Sequence, residues 1–147
     1  MSECSDASTG QPAKLASPAP WPGWRGSGCI LVIDDEDPIR AVLARSVARV
    51  GFTAEQASDG QQAIAQFESD PGRFTLVLLD FKLPGMDGSE VLSRLRQIKP
   101  DVRVILMSGL GRQEALEQFG SQGLAGFLQK PFALGALFSE LRSALGF

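Results

Sequence analysis

The sequence predicts an α/β domain, a parallel sheet of five strands doubly wound by helices on both faces. Two observations predict it. Short, continuous apolar runs recur along the chain, and each is followed by a segment whose apolar residues return with helical spacing. Such runs suit strands buried on both faces, and strict strand–helix alternation implies right-handed crossovers between parallel strands. A third observation locates the chemistry. The runs end in polar residues of unusual character, namely Asp34 with Asp35, then Asp80, Ser108 and Lys130. In sheets of this kind ligands bind outside the carboxyl ends of the strands, so these residues are expected on one edge.

In chain order, Cys29–Ile33 reads as the first strand. Asp37 is placed to cap a helix with Pro38 in its first turn. Ile39, Val42, Leu43, Val47 and Val50 supply its apolar spacing, and Gly51 ends it. Thr53–Ala57 is a weaker strand, expected at an edge. Asp59 caps a second helix with Ala63, Ile64 and Phe67 inward. Phe74–Leu79 is the third strand, ending at Asp80. A loop with Pro84, Gly85 and Gly88 leads to a helix with Val91, Leu92, Leu95 and Ile98 inward. Val102–Met107 is the fourth strand, ending at Ser108-Gly109. A short, weakly amphipathic helix follows, with Leu116 and Phe119 as its apolar positions. Leu124–Leu128 is the fifth strand and ends near Lys130-Pro131. Leu134, Leu137, Phe138, Leu141 and Leu145 mark the last helix.

The 147 residues imply one domain. Residues 1–28, rich in Ser, Pro, Gly and Ala, read as a flexible tail or linker, and residues 29–147 as the domain. Trp21-Pro-Gly-Trp24 is the exception within the tail, a candidate to dock on the domain or on a partner. The net charge of −3 argues against a general nucleic-acid binder, whose affinity would rest on basic phosphate contacts. Cys4 in the tail and Cys29 in an apolar run are not expected to form a disulfide. No signal peptide or bilayer-spanning run is apparent, so a cytoplasmic location without membrane insertion is expected. The absence of histidine excludes a Ser-His-Asp triad, a Cys-His pair and a His-ligated metal.

Three carboxylates sharing one small site repel, and burying them unpaired is expensive. A hard divalent cation resolves the conflict, and Mg²⁺ fits because it combines a few carboxylates with exchangeable waters. Charge neutralised in this way would make Asp80 a usable nucleophile toward a phosphoryl group. Lys130 could then hold one phosphoryl oxygen, Ser108 a second and Mg²⁺ the third.

From Cys29 to Phe147 the chain resembles the receiver domain of bacterial response regulators. The resemblance is carried by Ile33-Asp34-Asp35-Glu36, by Leu79-Asp80-Phe-Lys-Leu-Pro84-Gly-Met-Asp-Gly88, by Met107-Ser108-Gly109 and by Lys130-Pro131-Phe132. It implies a flavodoxin-like (βα)5 fold with strand order 2-1-3-4-5. It also implies that Asp80 is the phosphoacceptor, that Asp35 ligates Mg²⁺ directly with Asp34 acting through water, and that the Lys82 backbone carbonyl completes the protein ligands. Ser108 and Lys130 match the switch hydroxyl and the phosphate-binding lysine, the Lys130-Pro131 bond is expected to be cis, and Phe127 takes the place of the switch aromatic. Leu110 and Lys82 would flank the site and tune the phosphoryl lifetime. The fourth helix, fifth strand and fifth helix would form the output face. The expected partners are a sensor histidine kinase or a phosphotransfer protein, with a homodimer as another route of output. Without histidine, this chain cannot itself be a phosphohistidine donor. The wording of Gly123–Phe132 is similar to receivers of hybrid sensor kinases, and no DNA-binding segment follows. The chain is therefore expected to be a phosphoacceptor rather than an enzyme. Two alternatives stand beside it: a phosphorylation-independent interaction module, and an Asp-nucleophile phosphatase of the haloacid dehalogenase type, whose Asp-x-Asp-x-Thr pattern and cap insertion are missing. A nucleotide-binding fold is poorly supported, since no Gly-rich phosphate loop follows the first strand.

Overall fold

The computed structural model describes residues 26–119 and 123–146, leaving aside the side chains of residues 118 and 119. Its elements alternate as β1 (Cys29–Ile33), α1 (Asp37–Arg49), β2 (Thr53–Ala57), α2 (Gly60–Ser69), β3 (Phe74–Asp80), α3 (Gly88–Ile98), β4 (Val104–Ser108), α4 (Arg112–Phe119), β5 (Gly126–Gln129) and α5 (Leu134–Leu145). The strands form one parallel sheet in the flavodoxin-like order β2-β1-β3-β4-β5. β2 is an edge strand, in keeping with its weak apolar pattern.

The sheet divides two apolar layers, and the period-2 geometry of strands decides which residue joins which. Leu31, Ile33, Val77, Leu79 and Leu106 pack beneath α2 and α3, around Phe67, Leu92 and Leu95. Their sequence neighbours Ile30, Val32, Leu76, Leu78 and Ile105 pack beneath α1 and α5, around Leu43, Val47, Leu137 and Leu141. Both faces are covered, which is why the strands read as unbroken apolar runs.

The structure corrects several expectations. Asp37 is not the cap of α1. Glu36 takes that position without a side-chain cap bond, and Asp37 is the first helical residue, paired with Arg40. Val42 stays 45% exposed although its spacing suits the inner stripe. β4 begins at Val104, because Val102 is held in a turn by its N–H to the Lys99 carbonyl (3.0 Å). β5 runs from Gly126 to Gln129, two residues later than expected at its start. On α4 the fully buried residue is Ala115, with Leu116 half-buried, while the Phe119 side chain lies outside the described residues. A 3-10 turn at Pro71–Arg73 precedes β3 and was not signalled.

Of residues 1–28, only Gly26, Ser27 and Gly28 are described; Cys4 and Trp21-Pro-Gly-Trp24 lie outside. The Gly26 N–H donates to the Val50 carbonyl (2.7 Å), and the Gly28 carbonyl accepts from Thr53 N–H (2.8 Å). Cys29 is a buried free thiol. Among the described residues, no helix is long and apolar enough to cross a membrane.

Side-chain caps set the start of two helices. Asp59 accepts from Gln62 N–H at the head of α2, and Asp87 accepts from Glu90 N–H (3.0 Å) and Ser89 Oγ (2.7 Å) at the head of α3. The Ser89 and Glu90 bonds hold the Asp87 carboxyl below the usual carboxylate range. Asp87→Ala is expected to cost about 1 kcal/mol in chemical denaturation at neutral pH. Because the folded-state pKa is depressed, the cap's contribution is full above the unfolded pKa. It is lost as pH falls through the lowered folded value, so wild type and variant should converge in acid.

Candidate functional site

Each candidate side chain is delivered by a strand end. The chain leaves β1 with the Asp34 N–H still donating to the Ala57 carbonyl of β2 (3.1 Å), which keeps Asp34 in line with the sheet. Its carboxylate is fully buried, accepting from Glu36 N–H (2.9 Å) and from Lys130 Nζ (2.8 Å). Asp35, the next residue, is exposed and lines the rim of the same pocket. Asp80 is the last residue of β3, paired in register with Met107, and is 7% exposed. Ser108 closes β4 opposite Gln129, and its carbonyl accepts from Lys130 N–H (2.7 Å). That bond carries the β4–β5 pairing one residue further and sets Lys130 at the same edge. The Lys130-Pro131 bond is cis, as expected.

The side chains converge. One carboxylate oxygen from each of Asp34, Asp35 and Asp80 lies within 4.8 Å of the others. Lys130 Nζ lies 3.4 Å from Asp80 Oδ2 and 3.9 Å from Glu36 Oε1, besides its bond to Asp34. Asp35, Asp80, Lys82, Ser108 and Lys130 line one pocket of ≈ 340 Å³. The loop carrying Lys82 folds back tightly over β3. Gly88 donates to the Phe81 carbonyl (2.9 Å), and a Cβ at Gly88 would sit only 2.9 Å from that oxygen, so a glycine is required there.

The electrostatics follow from this crowding. The Asp80 carboxyl is pushed up to about 6, mainly by burial. The Lys130 charge pulls it down, and Asp34 and Asp35 push it up again. Burial opposes the Lys130 ammonium, but its bond to Asp34 and the charges of Asp80 and Asp34 outweigh that, and its pKa is raised. Three carboxylates against one ammonium leave the cluster with excess negative charge, and every acidic donor is an oxygen. That donor chemistry fits a hard divalent cation better than a soft metal.

Residues 30–142 match the family profile described as the response regulator receiver domain. The chain belongs to that family. Over 120 residues, 82% of its length, this receiver is 32% identical to Sensor kinase CckA of Brucella abortus (strain 2308), of which it spans 13%. It is 35% identical over 116 residues to Sporulation initiation phosphotransferase F of Bacillus subtilis (strain 168), covering 79% of this chain and 89% of that one. Its fold is similar to that of the CheX-CheY-BeF3-Mg complex from Borrelia burgdorferi, with a TM-score of 0.74 at 26% identity, over 79% of this chain and 87% of that chain.

Within the receiver, the structure gathers Asp35, Asp80, Lys82, Ser108 and Lys130 around one pocket, joins Asp34 to them through the carboxylate cluster and its bond to Lys130, and leaves Phe127 apart. Phe127 sits on β5, 7% exposed, in the layer that also holds Ala115 of α4, with the Arg112 guanidinium 5.9 Å from its ring centroid. Ser108 Oγ accepts from Leu110 N–H (3.0 Å), which leaves its own proton for another acceptor. Two positioning residues escaped the sequence reading. Arg40 donates to the Asp34 backbone carbonyl (2.7 Å), fixing the turn that aims the acidic pair. Glu140 of α5 accepts from Phe127 N–H (2.9 Å), tying β5 to the last helix. Nothing in either residue's local pattern signals a partner that distant.

Proposed function

We propose that Asp80 accepts a phosphoryl group from a phosphohistidine on a sensor kinase or phosphotransfer protein, in a Mg²⁺-dependent step. The observation that carries this reading is the convergence of three carboxylates and one ammonium at one edge of the sheet, with Asp35, Asp80 and Lys130 lining one pocket. In the transfer, an Asp80 carboxylate oxygen forms the new P–O bond. The P–N bond to the donor imidazole breaks, and its electron pair stays on the ring nitrogen. Asp35, Asp80 and the Lys82 backbone carbonyl would hold the cation, with Asp34 contributing through water. The bound Mg²⁺ supplies positive charge for the phosphoryl oxygens and for the carboxylates that would otherwise repel them.

Lys130 exchanges part of its contact with Asp80 for a phosphoryl oxygen, while Asp34 continues to orient it. Ser108 donates its hydroxyl proton to a second oxygen. Because the Leu110 N–H donates to Ser108 Oγ, the β4–α4 connection moves with the hydroxyl. Phe127, on the neighbouring strand and under Arg112, is the aromatic that responds. The surface that changes is made of α4, β5 and α5, read by a partner protein or by a second copy in a homodimer. This is the work of a cytoplasmic phosphoacceptor module spanning residues 29–147, with residues 1–28 as its linker, rather than of an enzyme that turns over substrates.

Intact-mass measurement after incubation with acetyl phosphate tests the reading. One phosphoryl group is expected with Mg²⁺ present and none after chelation. Uptake that is indifferent to divalent ions, or absent under every condition, refutes it.

A further inference from the structure

A second concavity lies beside the phosphoryl pocket and plays no part in the chemistry above. It encloses ≈ 550 Å³ between α1 and the β5–α5 turn, walled by Pro38, Ile39, Val42, Pro131, Phe132 and Leu134. Glu36 and Lys130 stand at its polar end, where it borders the acidic pocket. Val42, its most conspicuous wall residue, is the one large apolar side chain left exposed among the described residues. A contiguous apolar hollow of this kind marks an interaction site. We propose that its occupant is this chain's own Trp21-Pro22-Gly23-Trp24 segment, folded back along α1.

The chain's exit point favours that occupant. Gly26 is pinned to the Val50 carbonyl at the foot of α1. β1 runs beneath α1, which packs on β1 and β2, whereas α5 packs on β4 and β5 across the same face. The residues before Gly26 therefore start at the foot of α1, with the hollow at its head.

Reach is sufficient. Along α1, Val42 lies ~12 Å and Ile39 ~17 Å above Val50, at the helical rise of ~1.5 Å per residue. Trp21 precedes Gly26 by five residues, a span of roughly 16 Å in extended or polyproline form. Trp21 can thus enter the hollow while Trp24 lies over the lower half of α1.

The chemistry also matches. Pro18, Pro20 and Pro22 restrict the free segment, so ordering it loses less entropy. An indole offers a large apolar body to the hollow and one N–H donor, for which the Glu36 carboxylate at the polar end is an acceptor. Docking of this kind does not depend on phosphorylation at Asp80.

The sequence supplies its own probe, because Trp21 and Trp24 are its only tryptophans and tyrosine is absent. Emission from the full chain is expected to be blue-shifted, and less quenched by acrylamide, relative to a synthetic peptide of residues 1–28. Val42→Asp places a charge in the wall at an exposed position, where the fold should survive, as circular dichroism would verify. That variant is expected to return both readings to those of the peptide, and Trp21→Phe is expected to remove the blue-shifted component. Peptide-like emission from the wild-type chain overturns the proposal. So does a blue shift that persists in folded Val42→Asp, or one that grows with protein concentration and so reports a second copy in the hollow.

Discussion

Asp80→Asn is expected to abolish phosphoryl uptake while making the metal-free domain more stable. The amide keeps the size and shape of the carboxylate but is no nucleophile, so intact mass after acetyl phosphate and Mg²⁺ should show no gain. The stability gain follows from the charge distribution. Asp80 shares one sheet edge with the buried Asp34 and the exposed Asp35, all within 4.8 Å of one another, and among the described residues Lys130 is the cation paired with Asp34 and Asp80. Its carboxyl is pushed up to about 6 from 3.8, chiefly by burial, so the ionised form is disfavoured in the fold. A carboxyl raised that far corresponds to about 3 kcal/mol, an upper bound on what neutralising the group can return. Thermal unfolding in the presence of a chelator should therefore show a midpoint raised by several degrees. Saturating Mg²⁺ should shrink that gap or reverse it, because the variant has lost a cation ligand. A phosphoryl adduct that survives in the variant would move the acceptor to Asp34 or Asp35 and sink the assignment.

Much of this architecture is legible in the sequence because burial writes itself as hydrophobicity. The runs at Cys29–Ile33 and Phe74–Leu79 are covered on both faces, so no polar alternation obscures them. The strand-end residues are legible for the complementary reason. Acidic and basic groups that close apolar runs have little structural excuse, and a parallel sheet must bring those ends to one edge. Errors arose where burial and pairing part company. Val102 is buried yet precedes β4, and apolar Leu124 precedes β5. Val42 obeys helical spacing, but α5 and the β5–α5 turn leave a hollow beside it instead of covering it. Ala115 is buried without a sequence signal, because a small side chain carries little hydrophobicity even where α4 sits on the sheet. Arg40 and Glu140 act through partners set by the tertiary fold, across a turn and between an end helix and a strand. No local pattern encodes such distances.

Lys130→Met separates the two duties of the site. Met retains most of the apolar stem and removes the ammonium. Phosphoryl uptake from acetyl phosphate should fall by roughly two to three orders of magnitude, the usual cost of deleting one preorganised group that stabilises developing charge. Stability should move in the opposite direction from the Asp80→Asn case. Asp34 is fully buried, and its Oδ2 loses a partner at 2.8 Å, leaving an uncompensated carboxylate beside Asp80. Breaking a buried pair from one side costs about 3–5 kcal/mol, so the metal-free variant should unfold at markedly lower denaturant concentration. Mg²⁺ should recover more stability for this variant than for wild type, since no ammonium now competes for the carboxylates. Titration should show affinity for the ion equal to or tighter than that of the parent. Mass-resolved time courses together with melts in Mg²⁺ and in chelator read all three effects on one sample. Uptake at the parental rate would reduce Lys130 to a structural counter-ion of Asp34. Weakened Mg²⁺ binding would mean that the ammonium helps to organise the cation site instead of competing with it. The double variant closes the cycle. If Lys130 acts mainly by balancing Asp34 and Asp80, removing the Asp80 charge should restore part of the stability that Lys130→Met loses, and the two effects should be measurably non-additive.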